Sequence, residues 1–291
     1  MSNTPAVLLT GANGGIGTPT ALELAKRGFL VYAGMRRTGH GPFDGAPRTQ
    51  QIRLDVTDPD SVAEAIGRIE AERGGLGLQA VVNNAGVMVN GPLELVSDEE
   101  LNRQFAVNVF GPVRVVKAAL PLLRAGSGRI VNVGAPTAYL PMQFYSAVSA
   151  SKAALHSVTA SLRGELAAWN IPATVVVPGL VETPIFATAA AAQRATDVPP
   201  ERAALYRRHL AAVERVSGKQ KYEPTAGIVR AIAAAVTDRR VKPEYFGSAN
   251  ARVMSKVLPR LPRKLRESAV AGAMGLKGIQ APQAAHAEGR V

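Results

Sequence analysis

Thr10-Gly11-Ala12-Asn13-Gly14-Gly15-Ile16-Gly17 is the stretch that decides the fold. It follows a short apolar run, Ala6–Thr10, and opens a segment of helical period, Ile16–Arg27. Glycine lets a backbone turn tightly and approach a pyrophosphate closely. The helix that follows offers free N–H groups and a favourable dipole to phosphates. A turn that merely needs positive φ would use the same letters. It is the placement between strand and helix that points to a nucleotide. Pro19 falls in the first helical turn, where a missing N–H is tolerated.

The same rhythm continues downstream. Strand-like runs recur at Phe29–Gly34, Gln51–Leu54, Ala80–Asn83, Arg129–Val133 and Ala173–Val177. Helical segments lie near Ser61–Arg73, Glu99–Arg124 and Ser149–Trp169. Runs apolar on both faces predict a parallel sheet covered by helices on both sides. Right-handed crossovers then give a doubly wound α/β sheet of about seven strands, a Rossmann fold. Thr183–Tyr222 breaks the alternation with an Ala-rich helical stretch, interrupted near Pro199-Pro200, where a lid would sit. A helix near Pro224–Val236 and a last strand at Val241–Phe246 follow. No linker divides the chain. The expectation is one dinucleotide-binding domain over residues 1–272, a helical lid near 183–222, a C-terminal helical extension, and a flexible tail over 273–291.

Composition narrows the function. Of 291 residues, 47% are hydrophobic and none is cysteine, which excludes disulfides, thiolate nucleophiles and cysteine-based metal sites. The four histidines, His40, His156, His209 and His286, are scattered, so no metal site is expected. No stretch approaches the ~18 uninterrupted apolar residues of a membrane span. Met1–Pro5 runs directly into the first strand, which predicts no secretory leader and a cytoplasmic protein. Lys and Arg number 34 against 22 Asp and Glu, a formal charge of +12 that favours anionic partners. No nucleic-acid reader motif accompanies that charge, so nucleic acid is not an expected partner. Arg252, Lys256, Arg260, Arg263, Lys264 and Arg266 crowd one C-terminal stretch, either a solvated helix face or a membrane-surface helix. At the end of the second strand, Met35-Arg36-Arg37 offers no carboxylate for a ribose 2′-hydroxyl. Arg36 and Arg37 could instead grip a 2′-phosphate, which favours NADP(H) over NAD(H).

Together these residues resemble the short-chain dehydrogenase/reductase family over roughly Ala6–Phe246. Thr10–Gly17 is similar to its TGxxxGxG turn, in which Gly11, Asn13, Gly15, Ile16 and Gly17 would meet the cofactor. Asp55-Val56 resembles the pair that holds adenine, and Asn83-Asn84-Ala85-Gly86 resembles the NNAG motif. Asn108 stands where the family carries a catalytic asparagine. Pro178-Gly179-Leu180-Val181-Glu182-Thr183-Pro184 is similar to the PGxVxTP segment, which places Pro178, Gly179, Val181 and Thr183 at the nicotinamide. By the same resemblance, the helices at Glu99–Arg124 and Ser149–Trp169 would pair subunits into a homodimer or homotetramer.

The family's reaction uses a tyrosine in YxxxK as general acid/base and a serine thirteen residues earlier. Lys152 is in place in its Ser149-Ala150-Ser151-Lys152-Ala153-Ala154-Leu155 setting. Counting back, the tyrosine position holds Val148 and the serine position holds Ala135. Tyr145, at the helix entrance, and Tyr139, in the preceding loop, are the available substitutes. A positioned acid contributes about 10²–10⁴ in rate, and a hydrogen bond to a developing oxyanion about 10²–10³. Ordinary ketone reduction is therefore not expected. Three readings remain open. The first is hydride transfer to an iminium, quinone or enone, which needs no acid at position 148. The second is a non-redox cyclase or isomerase that orients a reactive substrate. The third is an inactive NADP(H)-binding regulator. Leu140, Met142, Phe144, Tyr145, Leu180, Ile185 and Phe186 suggest an apolar pocket for a small molecule, which favours an enzyme. Lid and tail look most like those of the hydroxysteroid and retinol dehydrogenase branch.

Overall fold

The computed structural model describes residues 4–195 and 199–280. Seven strands form one parallel sheet: β1 Ala6–Thr10, β2 Leu30–Met35, β3 Thr49–Arg53, β4 Ala80–Asn83, β5 Arg129–Val133, β6 Ala173–Val177 and β7 Glu244–Phe246. Their order is β3-β2-β1-β4-β5-β6-β7. The chain therefore winds outward from β1 in both directions, and a crevice opens at the carboxyl ends of β1 and β4. The expected doubly wound α/β sheet is the observed one. β3 begins two residues before the expected run because Thr49 and Gln50 pair with Val31 and Tyr32. β7 is shorter than expected and begins just after Pro243, which has no N–H to give a ladder.

Alternation along each strand divides the core into two layers. Val7, Leu9, Val31 and Ala33 pack against α1 (Gly17–Lys26) and α8 (Ala226–Thr237). Ala6, Leu8, Tyr32 and Ile130 pack against α2 (Pro59–Arg73) and α4 (Gly111–Ala125). Successive side chains of a strand point to opposite faces, so fully apolar strands require both layers. The α2 boundaries have local causes. The Asp58 carboxylate accepts from Asp60 N at 3.0 Å, and Gly74 closes the helix at φ 54°.

The expected single helix over Glu99–Arg124 is divided. α3 (Asp98–Phe105) starts on a Ser97–Glu100 capping box, then Ala106–Phe110 forms one wide turn, and α4 follows. Pro112 supplies the reason, since it has no N–H to return to the carbonyl of Asn108 four residues earlier. By length and composition, the continuous run Asp98–Ala125 would suffice to cross a membrane, but half of its apolar window is buried within the protein.

After β5, a short turn at Pro136–Ala138 leads to α5 (Ser146–Glu165), which begins three residues before the expected start. Beyond β6 come α6 (Pro184–Ala195) and α7 (Pro200–Ser217), the two halves of the expected lid. The C-terminal extension contains α9 (Ala249–Lys256) and α10 (Arg263–Ala273). Two residues of the expected tail pack on the protein. Met274 is 3% exposed and packs with Leu140 and Val270, while Leu276 rests on the same cluster. Residues 281–291 lie outside the described residues.

Candidate active site

A cleft of about 500 Å³ lies over the carboxyl ends of β1, β2 and β4. At its floor the glycine turn and the segment after β4 are tied together. Thr10 Oγ1 accepts from Asn84 N at 3.1 Å and from Ala85 N at 3.0 Å. Asn84 Nδ2 returns bonds to Thr10 O and Gly11 O, each at 3.0 Å. Gly11 has φ +62°, and a Cβ there would lie 2.8 Å from Ala85 Cα. At Gly17 a Cβ would meet Gly11 O at 2.2 Å. These positions need glycine because backbone packs directly on backbone. No side chain caps α1, and its first turn holds no acid. That uncapped terminus beside the cleft fits a dinucleotide pyrophosphate.

Gly11, Asn13, Gly15, Ile16, Arg36, Asp55, Val56, Asn84, Ala85, Gly86 and Thr183, expected at the cofactor, all line the cleft, and so does Ile185, expected in the apolar pocket. Gly17 supports it from within α1. Arg36 is exposed at the rim, whereas Arg37 is exposed but does not line the cleft. The Asp55 carboxylate accepts from Thr57 N at 2.9 Å and Thr57 Oγ1 at 2.6 Å. Desolvation pushes its pKa up, but these hydrogen bonds and the nearby Arg36 and Arg114 outweigh it and hold the group below its ordinary value. Val56 lies against α4, where its Cγ2 would be 2.7 Å from a Cβ on Gly111. Across the cleft Thr183 packs on Gly15, with its Cβ 2.9 Å from where a Gly15 Cβ would be. Pro178, Gly179 and Val181 stand outside the cleft lining. Gly179 lies beside the Glu223 carboxylate, and Val181 is buried and bridges to Glu223.

Beyond Gly86 the chemistry changes. Asn108, wholly buried in the wide turn, accepts from Val87 N at 2.9 Å and donates Nδ2 to Val87 O at 2.9 Å. Its amide therefore holds the segment after Gly86, the part of a positioning residue. Gln104, one turn earlier, accepts from Val89 N at 2.7 Å and donates to Ser151 Oγ at 3.0 Å. Sequence reasoning missed Gln104 and Ser151. Their signal was a polar side chain four residues before Asn108, on the same face of an apolar helix. Met88, Arg103 and Val107 were also missed as cleft-lining residues.

Lys152 adjoins this knot, its Nζ 3.9 Å from where a Gly86 Cβ would lie. The ammonium donates to Val133 O at 2.7 Å, and burial pulls its pKa down to about 8. Val148, 8% exposed, precedes it by one turn of α5. Ala135 follows β5 in extended backbone. Around Lys152 the two positions that the sequence singled out thus carry only hydrocarbon.

The expected apolar pocket divides among three places. Ile185 lines the nucleotide cleft. Leu140 and Met142 instead line a second cavity of about 240 Å³ with Met254, Leu258, Leu261 and Val270, because the C-terminal helices cover the loop that bears them. Tyr145 caps the start of α5 without a side-chain bond to the helix. Burial raises its pKa, with the Tyr222 and Asn90 side chains as neighbours. Phe144, at φ +64°, turns its ring to Tyr206 and His209 of α7, and Phe186 meets Tyr222. Leu180 meets the lid end through its carbonyl, which accepts from Glu223 N at 2.7 Å. Tyr139 donates to Glu244 Oε1 at 2.5 Å, and Lys256 pairs with the same carboxylate. His156 lies edge-on to Tyr139 with its centroid 4.9 Å away, and desolvation lowers its pKa to about 4.

A parallel sheet with a glycine turn and an uncapped helix at its switch point defines a dinucleotide-binding α/β protein. A family model described as short chain dehydrogenase matches residues 5–194, and the chain belongs to that family. It is 38% identical over 188 residues to estradiol 17-beta-dehydrogenase 2 of Rattus norvegicus, covering 62% of this chain and 49% of that protein. It is 34% identical over 181 residues to the 3-amino-tetrahydro-pyrrolizinone reductase of Xenorhabdus hominickii, covering 62% and 63%. The match thus spans less than two thirds of either relative's length. Among solved structures, a short-chain dehydrogenase from Burkholderia cenocepacia J2315 in complex with NADP superposes with TM-score 0.69 at 26% identity, covering 91% of this chain and 97% of that one. One from Streptomyces avermitilis gives TM-score 0.70 at 26% identity, covering 87% and 91%.

Proposed function

We propose that the protein is an NADP(H)-dependent oxidoreductase acting on an apolar small molecule whose reacting centre takes up negative charge without an acid at position 148. Iminium ions, quinones and conjugated enones meet that requirement. The observation that carries this reading is Val148, buried one turn before Lys152, with Ala135 as the other departure from the family's pair. Bound nicotinamide cofactor supplies or accepts the hydride. The chain's own part is to bind and orient: α1 and the glycine turn at the pyrophosphate, Asp55 and Val56 at adenine, and Arg36 at a 2′-phosphate. Lys152 would hold the ribose and Thr183 would sit beside the nicotinamide, while Pro178, Gly179 and Val181, outside the cleft lining, would reach it only through the segment that carries Thr183. α6 and α7 would serve as a lid within a single domain, excluding water from the reacting centre. Relatives named for estradiol and for a tetrahydro-pyrrolizinone support a compact apolar substrate. Assembly as a homodimer or homotetramer and a cytoplasmic location belong to the same proposal.

Two measurements test it. Calorimetry should show NADPH binding more tightly than NADH, with Arg36→Ala weakening NADPH by about 10–100-fold, the loss of one charge-assisted contact, and leaving NADH unchanged. Equal affinities would remove the NADP(H) preference. Turnover should consume NADPH with a cyclic iminium, quinone or enone and show no appreciable consumption with simple ketones or aldehydes. Product formed without NADPH consumption would instead make the protein a cyclase or isomerase.

A further inference from the structure

The C-terminal helices α9 and α10 present a surface that the cleft does not use. α9 buries Ala251 and Ser255 and turns Arg252 and Val253 outward, with Val257 one turn further on. α10 opens on Arg263-Lys264-Leu265. Val253 is 43% exposed, Val257 53% and Leu265 61%. Around them stand Arg252, Lys256, Arg260, Arg263, Lys264 and Arg266, with Glu267 the sole acid across residues 249–267. Among the described residues only Lys256 and Arg263 of this set have carboxylate partners, Glu244 and Glu267. Met254 of α9 and Val270 of α10 line the apolar 240 Å³ cavity. Exposed aliphatic side chains interleaved with unpaired cations on short helices are what an anionic bilayer surface accepts. The cations meet lipid phosphates while the aliphatic groups enter the acyl boundary.

We propose that α9 and α10 form a peripheral docking surface for an anionic lipid bilayer. A nucleic acid would use the cations and leave Val257 and Leu265 without a role, because its backbone is read through charge. The net charge of +12 would attract any polyanion to many faces, so the aliphatic residues decide between docking and general attraction. This inference does not depend on the reading of the cleft.

The test uses the full chain sedimented with vesicles of phosphatidylcholine alone or mixed with phosphatidylglycerol, with double-stranded DNA as a competing polyanion. Binding is expected to the mixed vesicles only, and to weaken as salt rises from ~0.1 M to ~1 M. Val257→Ser with Leu265→Ser keeps every charge and should bind the mixed vesicles about tenfold more weakly, with NADPH affinity and melting temperature unchanged. Arg263→Glu with Lys264→Glu keeps both aliphatic groups and should abolish binding. Absence of binding to mixed vesicles, undiminished binding by either double variant, or DNA binding as tight as vesicle binding would each overturn the proposal.

Discussion

Around Gly11 and Gly17 the contacts are backbone to backbone, and a single methyl group at either position would collide with main chain at 2.8 Å or less. Around Lys152, one turn of α5 and one residue beyond β5 carry the side chains that would decide a reaction, and both are aliphatic. A glycine turn that grips a pyrophosphate tolerates almost no substitution, because its function is its backbone path. A proton donor is a side chain on a helix that folds equally well without it. The nucleotide end can therefore persist in full while the chemistry beside it changes. Asn108 and Gln104 stand between the two regimes. Neither lines the cleft, yet they hold the segment from Val87 to Val89 that joins one end to the other.

The sharpest way to break this contrast is to put the missing groups back. Val148→Tyr with Ala135→Ser should raise NADPH-dependent reduction of simple ketones by about 10²–10⁴ over the parent, the contribution of a positioned acid. Either change alone should yield far less, since the two groups act on the same oxygen. Robust ketone reduction by the parent protein would show that Tyr145 or an ordered water had taken over the acid's role, and the contrast would disappear.

Asn108→Ala sharpens the boundary between the two ends. It strips the Val87 N–H of its partner, while Val87 O keeps its bond from Gln104 Nε2 at 3.1 Å, so the cost is roughly 1–3 kcal/mol for one unsatisfied group. The urea midpoint should fall accordingly. If stability is unchanged while turnover is lost, Asn108 acts directly in the chemistry and is not a positioning residue.

The smallest effect concerns the buried cluster behind Lys152. His156 has its pKa lowered to about 4 by desolvation and by Lys152, against 6.5 in the unfolded chain. The unfolded state then binds the proton first, so stability should decline as pH falls from about 6.5 towards 4, and the imidazole has no such effect above that window. The loss at pH 4.5 should be on the order of 2 kcal/mol. His156→Leu should flatten this part of the pH profile in urea titrations. An unchanged slope would mean that the imidazole is solvated.

Much of this molecule was determined by its sequence alone. β1, β4, β5 and β6 fall on the runs Ala6–Thr10, Ala80–Asn83, Arg129–Val133 and Ala173–Val177, because a fully buried strand needs an uninterrupted apolar run and little else. The cleft residues from Gly11 to Gly86 were legible for the same reason, since local glycine and turn chemistry fixes them. Lys152 and the aliphatic Val148 and Ala135 could be counted from register. Only the tertiary structure decided the rest. The wide turn at Asn108 arises from a proline four residues later, acting within a helix that reads as continuous. Leu140 and Met142 left the expected pocket because α9 and α10, more than a hundred residues away in sequence, cover them. Met274, within the expected tail, is buried because its side chain finds Leu140 and Val270. Burial between distant segments depends on which surfaces meet, and no local pattern of residues records that.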